Sequence, residues 1–260
     1  MKRGGHFFWI FSNWYGLVFG RPWLAPLHYA LLNLSLHSLG YDNARFTGEE
    51  WFIKHVLKKS DIQVALDIGA NVGAYSASLV EHLSCRVYAV EPSSSSFAAL
   101  EKSTKQYAPN VITINAAVSD TEGSATLFSR EALSEKATLS PVLGKGSALE
   151  EQVRVTTIDV LVKEHSIDRI DFIKIDTEGH ELEVFRGMQD TLQRFKPAFI
   201  QFEFNHVHLY RNTTLYQLSQ LLSGYELYRL LPHGWVKIDP TKHANNLFMF
   251  CNVVAINSFV

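Results

Sequence analysis

The sequence has few cysteines. Its 260 residues include only two, Cys85 and Cys251, which lie far apart and lack C-x-x-C spacing. A disulfide framework and a cysteine zinc site are therefore excluded, and the low cysteine usage is typical of a reducing compartment. We interpret both cysteines as small, buried apolar residues.

The sequence also lacks an excess of charge of either sign. The formal net charge is −2 at pH 7, and the chain contains no long run of lysine and arginine. Proteins that bind nucleic acid usually carry a basic patch that neutralises phosphates. We therefore expect no nucleic-acid partner. A composition of 47% hydrophobic and 19% charged residues is typical of a globular protein.

The aromatic-rich stretch near the N-terminus is too short to cross a bilayer. Residues 7–19, FFWIFSNWYGLVF, are interrupted by Ser12 and Asn13, whereas a spanning helix needs about 20 apolar residues. The segment that follows, Arg21-Pro22-Trp23, is a poor cleavage site for a signal peptide.

Two hypotheses for this N-terminal segment remain. In the first, which we favour, a helical cap buries aromatic side chains against the main domain and also covers the ligand site. These side chains are Phe7, Trp9, Phe11 and Trp14. In the second, an interfacial helix holds the protein against a membrane surface, where Lys2, Arg3 and Arg21 would suit the headgroup region.

After about residue 60, apolar strands alternate with helical segments, which predicts a mostly parallel sheet covered on both faces. The predicted strands are residues 63–69, 86–91, 110–118, 170–176, 198–204, 225–231 and 247–256. The predicted helices are 72–83, 93–107, 157–165, 180–193 and 213–223. Two half-exposed antiparallel strands, 124–129 and 151–158, flank a loop at 130–150. We expect residues 1–60 to form an N-terminal helical extension and residues 61–260 the main domain.

The turn after the first strand lacks one glycine of the dinucleotide fingerprint. In VALDIGANVGAYSASL, residues 64–79, only Gly69 and Gly73 remain of G-x-G-x-x-G, because Asn71 stands where the middle glycine would be. That middle glycine allows the backbone to approach a pyrophosphate. A nicotinamide-dependent oxidoreductase is therefore the less favoured of the nucleotide-binding functions.

Acidic residues end the first two strands. Ligands of such sheets bind at the carboxyl ends of the strands, where Asp67 and Glu91 lie. Glu91 can accept hydrogen bonds from both hydroxyls of a ribose. Two acids without a phosphate turn indicate a ligand that has a ribose and a positive charge, and S-adenosylmethionine has both.

Four blocks carry a resemblance to a known family. LDIGANVGAYS, VYAVEPS, INAAVSD and IDFIKIDTEGHELEVFRGM are similar to the FkbM family of S-adenosylmethionine-dependent methyltransferases, and they occur in that family's order. The resemblance covers residues 61–260. It implies a class I, Rossmann-like α/β fold with a seven-stranded sheet whose last strand runs antiparallel. It also implies methyl transfer, usually to a hydroxyl of a sugar, glycan or secondary metabolite.

The resemblance also implies roles for particular residues in binding S-adenosyl-L-methionine. The methionine part would be held by Asp67, Gly69, Asn71 and Gly73. Glu91 would hold the ribose, and Asp176 would face the amino group and sulfonium. The edge of the adenine would contact Ala117, Val118 and Ser119. We include four neighbours of these residues in the cofactor site, namely Ala70, Tyr75, Pro92 and Ser93.

Methyl transfer to an alcohol needs a base that removes the hydroxyl proton. The candidates are Glu178, Glu203 and His206, with Asp176, His180 and His208 also close to the expected site. Lys174, Arg186 and Arg211 could meet an acidic sugar, but each is more simply a solvated charge or a snorkelling side chain. We expect no metal, because sulfonium chemistry needs no Lewis acid.

A second function class keeps the fold without the reaction. A non-catalytic scaffold would retain the sheet but lose the ligand acids, whereas Asp67, Glu91 and Asp176 are all in place. We expect a cytoplasmic enzyme, or one peripheral to the inner face of a membrane, that acts on a small-molecule or glycan acceptor.

Overall fold

The computed structural model describes residues 11–35 except 13 and 16, residues 44–131, 133, 137–141 and 146, and residues 149–258. Contacts divide the chain into two compact units, Met1–Gly40 and Tyr41–Val260. This division lies earlier in the chain than the boundary at residue 60 expected from the sequence. Residues just before 60 belong to the second unit, since Phe52 is fully buried in its core.

The first unit consists of short helical pieces. Most described residues from 11 to 19 are helical, a 3-10 turn covers Pro22–Leu24, and helix α1 covers Ala25–Ser35. Phe11 and Trp14 are 50% and 53% exposed, and the hypothesis of a cap on the main domain stays a prediction. The other residues named for this segment, Lys2, Arg3, Phe7 and Trp9, lie outside the described residues.

The second unit contains two sheets. Their strands are β1 Val64–Ile68, β2 Arg86–Val90, β3 Val111–Ile114, β4 Ala117–Val118, β5 Gly123–Ser129, β6 Leu149–Thr156, β7 Phe172–Ile175, β8 Phe199–Phe204, β9 Tyr225–Leu231, β10 Gly234–Lys237 and β11 Cys251–Asn257. The main sheet has eight strands in the order β10-β9-β11-β8-β7-β1-β2-β3, and the small sheet has the order β4-β6-β5.

The main sheet confirms the predicted fold. Strands β8, β7, β1, β2 and β3 are parallel, and the last strand, β11, is antiparallel to β8 and β9. The eighth strand, β10, was not predicted. It forms a hairpin with β9 in which Leu231 pairs with Gly234, so Pro232 and His233 make a two-residue turn.

Helices cover both faces of this sheet. They are α2 Ala44–Thr47, α3 Glu49–His55, α4 Ala74–Leu83, α5 Ser94–Thr104, α6 Ile158–Glu164, α7 Glu181–Arg186, α8 Gln189–Phe195, α9 Val207–Tyr210 and α10 Leu215–Gln220. On one face Phe52 of α3 meets the rings of Phe172 and Phe199 at 6.0 and 5.7 Å between centroids. On the other face Phe185 of α7 meets Phe202 at 5.2 Å.

Two predicted elements are divided in the structure. The strand predicted at 110–118 becomes β3 and β4, because Ile114 continues the main sheet while Ala117 pairs with Val155 in the small sheet. The helix predicted at 180–193 becomes α7 and α8, which are separated at Gly187. A Cβ at Gly187 would lie 2.0 Å from the carbonyl oxygen of Ser119, so only glycine allows this close approach. The predicted antiparallel pair is confirmed by β5 and β6.

Candidate active site

Polar residues form one row across the carboxyl ends of four neighbouring strands. Ile68 of β1 is in register with Val90 of β2 and Ile175 of β7, and Ile175 is in register with Phe202 of β8. The next residues along these strands are Glu91, Gly69, Asp176 and Glu203. Since residues in register point to the same face of a sheet, the three acids of this row share one face.

The two glycines of the turn are required by close contacts within the protein. Gly69 has a φ of +83°, and a Cβ there would lie 1.8 Å from the carbonyl oxygen of Asp176. Gly73 has a φ of +86°, and a Cβ there would lie 2.7 Å from Cδ1 of Leu100 in α5. Asn71 between them adopts the left-handed conformation with a φ of 48°, which asparagine tolerates better than most residues.

The turn is tied to Glu91, which is 6% exposed. The backbone N–H of Asn71 donates to Oε2 of Glu91 at 2.9 Å, and the backbone N–H of Ser93 donates to Oε1 at 2.9 Å. Burial raises the pKa of Glu91 to about 7, although these two N–H groups oppose the shift. Each carboxylate oxygen keeps a lone pair for a further donor.

Asn115, which sequence reasoning missed, fixes the chain beyond Glu91. Its Nδ2 donates to the carbonyl oxygen of Glu91 at 2.8 Å and to that of Pro92 at 3.0 Å. Asn115 directly follows β3, as Glu91 follows β2, so it continues the polar row by one strand. No signal in the sequence pointed to it, because the strand predicted at 110–118 placed Asn115 in its interior.

A buried ammonium group lies beneath the row. Nζ of Lys174 in β7 is 2.9 Å from Oδ2 of Asp176, and the Lys174 side chain is 8% exposed. Burial alone would lower the pKa of Lys174, but Asp176, Asp67 and Glu49 outweigh burial and raise it. The interpretation of Lys174 as a solvated charge is therefore wrong. Its position inside an apolar strand was the signal for a buried, paired lysine.

Asp67 is fully buried beside this lysine. Oγ of Ser76 in α4 donates to its Oδ2 at 2.6 Å, whereas Oδ1 is buried and has no hydrogen-bond partner among the described residues. Burial raises the pKa of Asp67, and Lys174 opposes that shift. An acceptor that is buried without a partner indicates a position for a donor supplied by a ligand.

Glu49 of α3 completes the network and was not predicted. Its carboxylate accepts hydrogen bonds from Nε2 of Gln201 at 2.7 Å and from Oγ1 of Thr47 at 3.0 Å. The hydroxyl of Tyr75 donates to Oε1 of Gln201 at 2.7 Å, and Lys174 lies 4.9 Å from the centroid of the Tyr75 ring. Burial raises the pKa of Glu49.

Three carboxylates therefore surround one ammonium group at the base of the site. The three acidic groups outnumber the single lysine, so ionisation of any two of them leaves a net negative charge around Lys174. A concave site lined by one sign of charge attracts ligands of the opposite sign. This arrangement favours a cationic ligand at the strand ends.

Glu203, one of the candidate bases, lies in the same row as Asp176. Its carboxyl accepts a hydrogen bond from Nδ2 of Asn205. Burial raises the pKa of Glu203 well above its usual value, and the nearby acids Asp176, Glu178 and Glu181 raise it further. Glu178 lies in the turn after β7 with a φ of 51°, and its carbonyl oxygen accepts from Oγ1 of Thr138 at 3.2 Å.

The histidines have different surroundings. His206 is exposed at the start of α9. His208 is 1% exposed, and its Nε2 lies 3.0 Å from Oε2 of Glu181. His180 contacts Oγ of Ser119 at 2.9 Å through its Nε2. Burial lowers the pKa of His180.

Glu181 holds the loops after β7 and β8 together. Its Oε1 accepts from the backbone N–H groups of Thr177 at 2.9 Å and Gly179 at 3.3 Å, while its Oε2 meets His208. Burial alone would raise the pKa of Glu181, but His208 and the backbone N–H groups of Thr177 and of Glu181 itself lower it to about 2. We interpret Glu181 and His208 as the support of the turn that carries Glu178.

The remaining predicted residues lie around this centre. Ala117 and Val118 form β4, and the N–H of Ser119 donates to the carbonyl oxygen of Thr156 at 2.8 Å. The N–H of Ala70 donates to the carbonyl oxygen of Val90 at 3.0 Å.

Arg186 and Arg211, which we interpret from the sequence in the same way as Lys174, have different surroundings. Arg186 is exposed. Arg211 is not a solvated charge, because it pairs with Glu183 at 2.7 Å and donates to the carbonyl oxygen of Gly179 at 3.1 Å. Among the described residues, no group of three or more histidine, cysteine or acidic side chains is arranged to hold a metal ion.

The fold and the strand-end site define a class I S-adenosylmethionine-dependent methyltransferase. Residues 67–230 match the family described as the methyltransferase FkbM domain. The chain belongs to this family, which confirms the resemblance noted in the sequence and the choice of S-adenosylmethionine as cofactor.

The individual proteins that are similar to this chain have low sequence identity to it. The hexuronic acid methyltransferase AglP of Haloferax volcanii is 25% identical over 193 residues, which cover 66% of this chain and 76% of the relative. The O-methyltransferase from Bacillus cereus in complex with SAH is 13% identical, with a TM-score of 0.47 over 94% of this chain and 96% of the other. Precorrin-6y C5,15-methyltransferase from Geobacter metallireducens is also 13% identical, with a TM-score of 0.45 over 81% and 88%.

The residues present fit the cofactor. The buried Oδ1 atoms of Asp67 and Asn71 have no partner among the described residues, and S-adenosylmethionine carries donors in its ammonium group and ribose hydroxyls. The excess of carboxylates around Lys174 also suits its two positive centres. The candidate site therefore offers acceptors and negative charge where such a ligand needs them.

Proposed function

We propose that this methyltransferase transfers the methyl group of S-adenosylmethionine to a hydroxyl oxygen of a sugar, and that Glu203 removes the hydroxyl proton. The observation that supports this proposal is the half-buried carboxyl of Glu203, which lies in the same row as Asp176 and Glu91. Glu203 lies three strands from Glu91, a separation of roughly 14 Å at the usual strand spacing. One end of the row would hold the ribose and the other the acceptor.

We assign the cofactor-binding roles along this row. Glu91, with Pro92 and Ser93, would hold the ribose, and Asp176 would face the ammonium group and sulfonium. The residues assigned to the methionine part are Asp67, Gly69, Ala70, Asn71, Gly73 and Tyr75. The adenine would lie along Ala117, Val118 and Ser119. Because the hydroxyl of Tyr75 already bonds to Gln201, Tyr75 would act mainly by orienting Lys174.

The protein has to align the acceptor and accept a proton. Bound S-adenosylmethionine supplies a methyl carbon activated by its sulfonium, so alignment accounts for much of the catalysis. A carboxylate with a raised pKa is a stronger base near neutral pH than an ordinary glutamate. Asn205 orients the Glu203 carboxyl by its hydrogen bond. Glu178 is the second candidate, because it lies close enough to raise the pKa of Glu203.

A sugar hydroxyl is favoured as the acceptor for two reasons. The relative from Haloferax volcanii is described as a hexuronic acid methyltransferase, which suggests a sugar. A carboxylate acceptor would bring an anion next to Glu203, Glu178 and Asp176, and like charges in contact are unfavourable. A neutral hydroxyl avoids this repulsion and needs the base that these acids supply.

The test is transfer of tritiated methyl groups from S-adenosylmethionine to methyl glycosides of glucose, mannose, galactose, rhamnose and glucuronic acid. Products are then treated with mild alkali, which cleaves methyl esters and leaves methyl ethers intact. We expect alkali-stable label from the wild type and at least about a 100-fold loss of turnover in Glu203→Gln. The matched control is Glu101→Gln, since Glu101 is exposed on α5. Alkali-labile label, or full turnover in Glu203→Gln, would refute the proposal.

A further inference from the structure

The N-terminal unit has an unusual charge distribution. All 26 acidic residues of the chain lie after residue 41, and the first of them is Asp42. The segment before it contains Lys2, Arg3 and Arg21. The unit is therefore cationic, although the chain as a whole carries a formal net charge of −2.

The described part of this unit folds back on itself. The helical residues from 11 to 19 and helix α1 are joined by the turn that contains Arg21 and Pro22. The hydroxyl of Tyr15 lies 3.1 Å from Nε2 of His28 in α1, and the rings of these two residues are 5.8 Å apart. These contacts hold the two helical arms together as a hairpin, which we call the N-terminal hairpin.

Large apolar side chains of the N-terminal hairpin are exposed. None of its side chains described between residues 11 and 32 is buried. The exposed fractions are 50% for Phe11, 53% for Trp14, 80% for Leu17, 76% for Trp23, 52% for Leu27 and 51% for Leu31. Apolar side chains clustered in this way mark an interaction surface rather than ordinary solvent-exposed surface.

The described part of each arm is too short to cross a bilayer. Helix α1 has 11 residues, which corresponds to a length of roughly 16 Å, whereas the hydrocarbon core is about 30 Å thick. No helix among the described residues qualifies as a membrane span. Helical arms of the described length suit a position within one leaflet, with their aromatic rings at the level of the headgroups.

We propose that the N-terminal hairpin binds the surface of a bilayer that contains anionic lipids. Its tryptophans and leucines would enter the boundary between headgroups and acyl chains, and Arg21 at the turn would meet lipid phosphates. The absence of acidic residues before Asp42 removes the repulsion that an anionic surface would otherwise impose. The proposal does not depend on the acceptor or on Glu203, so it is tested separately from the proposed function.

The test uses the full chain and sedimentation with two kinds of vesicle. One contains phosphatidylcholine alone, and the other contains phosphatidylcholine and phosphatidylglycerol in equal parts. We expect the wild type to sediment mainly with the anionic vesicles. Trp14→Ser and Trp23→Ser should each lower the partition coefficient by about tenfold. Arg21→Glu should weaken binding to anionic vesicles severalfold and leave binding to neutral vesicles nearly unchanged.

The matched control is Tyr216→Ser, which removes an aromatic ring that is 46% exposed in the second unit and should leave sedimentation unchanged. Circular dichroism spectra like that of the wild type would show that each variant is folded. A blue shift of tryptophan fluorescence on adding anionic vesicles to the wild type, reduced in Trp14→Ser and Trp23→Ser, is a second expected result.

Two outcomes would overturn the proposal. In the first, the wild type stays in the supernatant with both kinds of vesicle. In the second, the wild type is a dimer in solution without lipid, Trp14→Ser and Trp23→Ser are monomers, and vesicle binding is the same in all three. That pattern would assign the exposed surface to a second copy of the chain.

Discussion

The backbone N–H of Asn71 donates to Oε2 of Glu91 at 2.9 Å, and this bond joins the turn after β1 to the end of β2. Because the partner is a backbone group, any residue at position 71 that adopts the same conformation could make the bond. The Glu91 side chain has no such substitute. Its carboxylate both closes the turn and faces the position proposed for the ribose.

Replacing Glu91 is therefore expected to weaken cofactor binding. Glu91→Ala should cost about 1.5–3 kcal/mol in the binding of S-adenosylhomocysteine, the range for hydrogen bonds to a charged group, and calorimetry measures it. Glu151→Ala is the control, because Glu151 also accepts a backbone N–H bond, from Ser94, but lies on the small sheet. An unchanged dissociation constant in Glu91→Ala would remove Glu91 from the ribose site.

The raised pKa of Glu91 leads to a linked prediction on protons. With a pKa of about 7 in the free protein, Glu91 is partly protonated at pH 7, and a ligand that donates hydrogen bonds to its carboxylate favours the ionised form. Binding should therefore release protons at pH 7 and weaken as the pH falls to 6. Heats measured in buffers of different ionisation enthalpy report this release. In Glu91→Gln, the protons that Glu91 releases should be missing from the total. Equal proton release by the wild type and Glu91→Gln would contradict the assignment.

Removing Lys174 should destabilise the whole domain. Lys174→Met would leave the fully buried Asp67 and the half-buried Asp176 and Glu49 without their shared cation, and the cost reaches about 3–5 kcal/mol where a buried ion pair is broken. Urea unfolding followed by circular dichroism measures the loss. Lys102→Met on the exposed side of α5 is the control and should change the free energy of unfolding by less than about 0.5 kcal/mol. If Lys174→Met is as stable as the control, the carboxylates are not held ionised by the lysine.

Gly69 should not tolerate a side chain. Gly69→Ala combines a positive φ, which costs roughly 1–3 kcal/mol, with a Cβ placed 1.8 Å from the carbonyl oxygen of Asp176. We expect a lower free energy of unfolding and weaker cofactor binding, because the turn and the end of β7 must move apart. Gly234→Ala is the matched control, since a Cβ there meets no atom within 4 Å. Similar stability of the two variants in thermal unfolding would show that the turn is more adaptable than this contact indicates.

Much of this site follows from the order of strands and acids in the sequence. Asp67, Glu91, Asp176 and Glu203 each stand at or near the end of an apolar run, and a parallel sheet brings such ends to one edge. Glu49 could not be found in this way. It lies on a short helix before the first strand, and only the packing of Phe52 against Phe172 and Phe199 brings that helix to the sheet.

Other differences have equally local causes. Residue type alone predicts that Lys174 lies on the surface, because most lysines do. Its register with Asp67 instead places it among carboxylates. The division of the helix predicted at 180–193 depends on the approach of Ser119 to Gly187, a contact between residues far apart in sequence. Sequence periodicity contains no information about such contacts.

The pH dependence of turnover should identify the base. A base must be unprotonated, so activity rises with pH through its pKa, and burial together with neighbouring acids raises the pKa of Glu203 well above that of an ordinary glutamate. We therefore expect kcat/KM to increase from pH 5 upward and to level off only well above pH 4.5, the usual value for glutamate. In Asn205→Ala, loss of the hydrogen bond to the carboxylate should move this rise of kcat/KM to still higher pH. Initial rates with tritiated S-adenosylmethionine between pH 5 and 9 give both profiles, with Glu178→Gln measured in parallel. If the rise of kcat/KM with pH is unchanged in Asn205→Ala but absent in Glu178→Gln, Glu178 rather than Glu203 removes the proton.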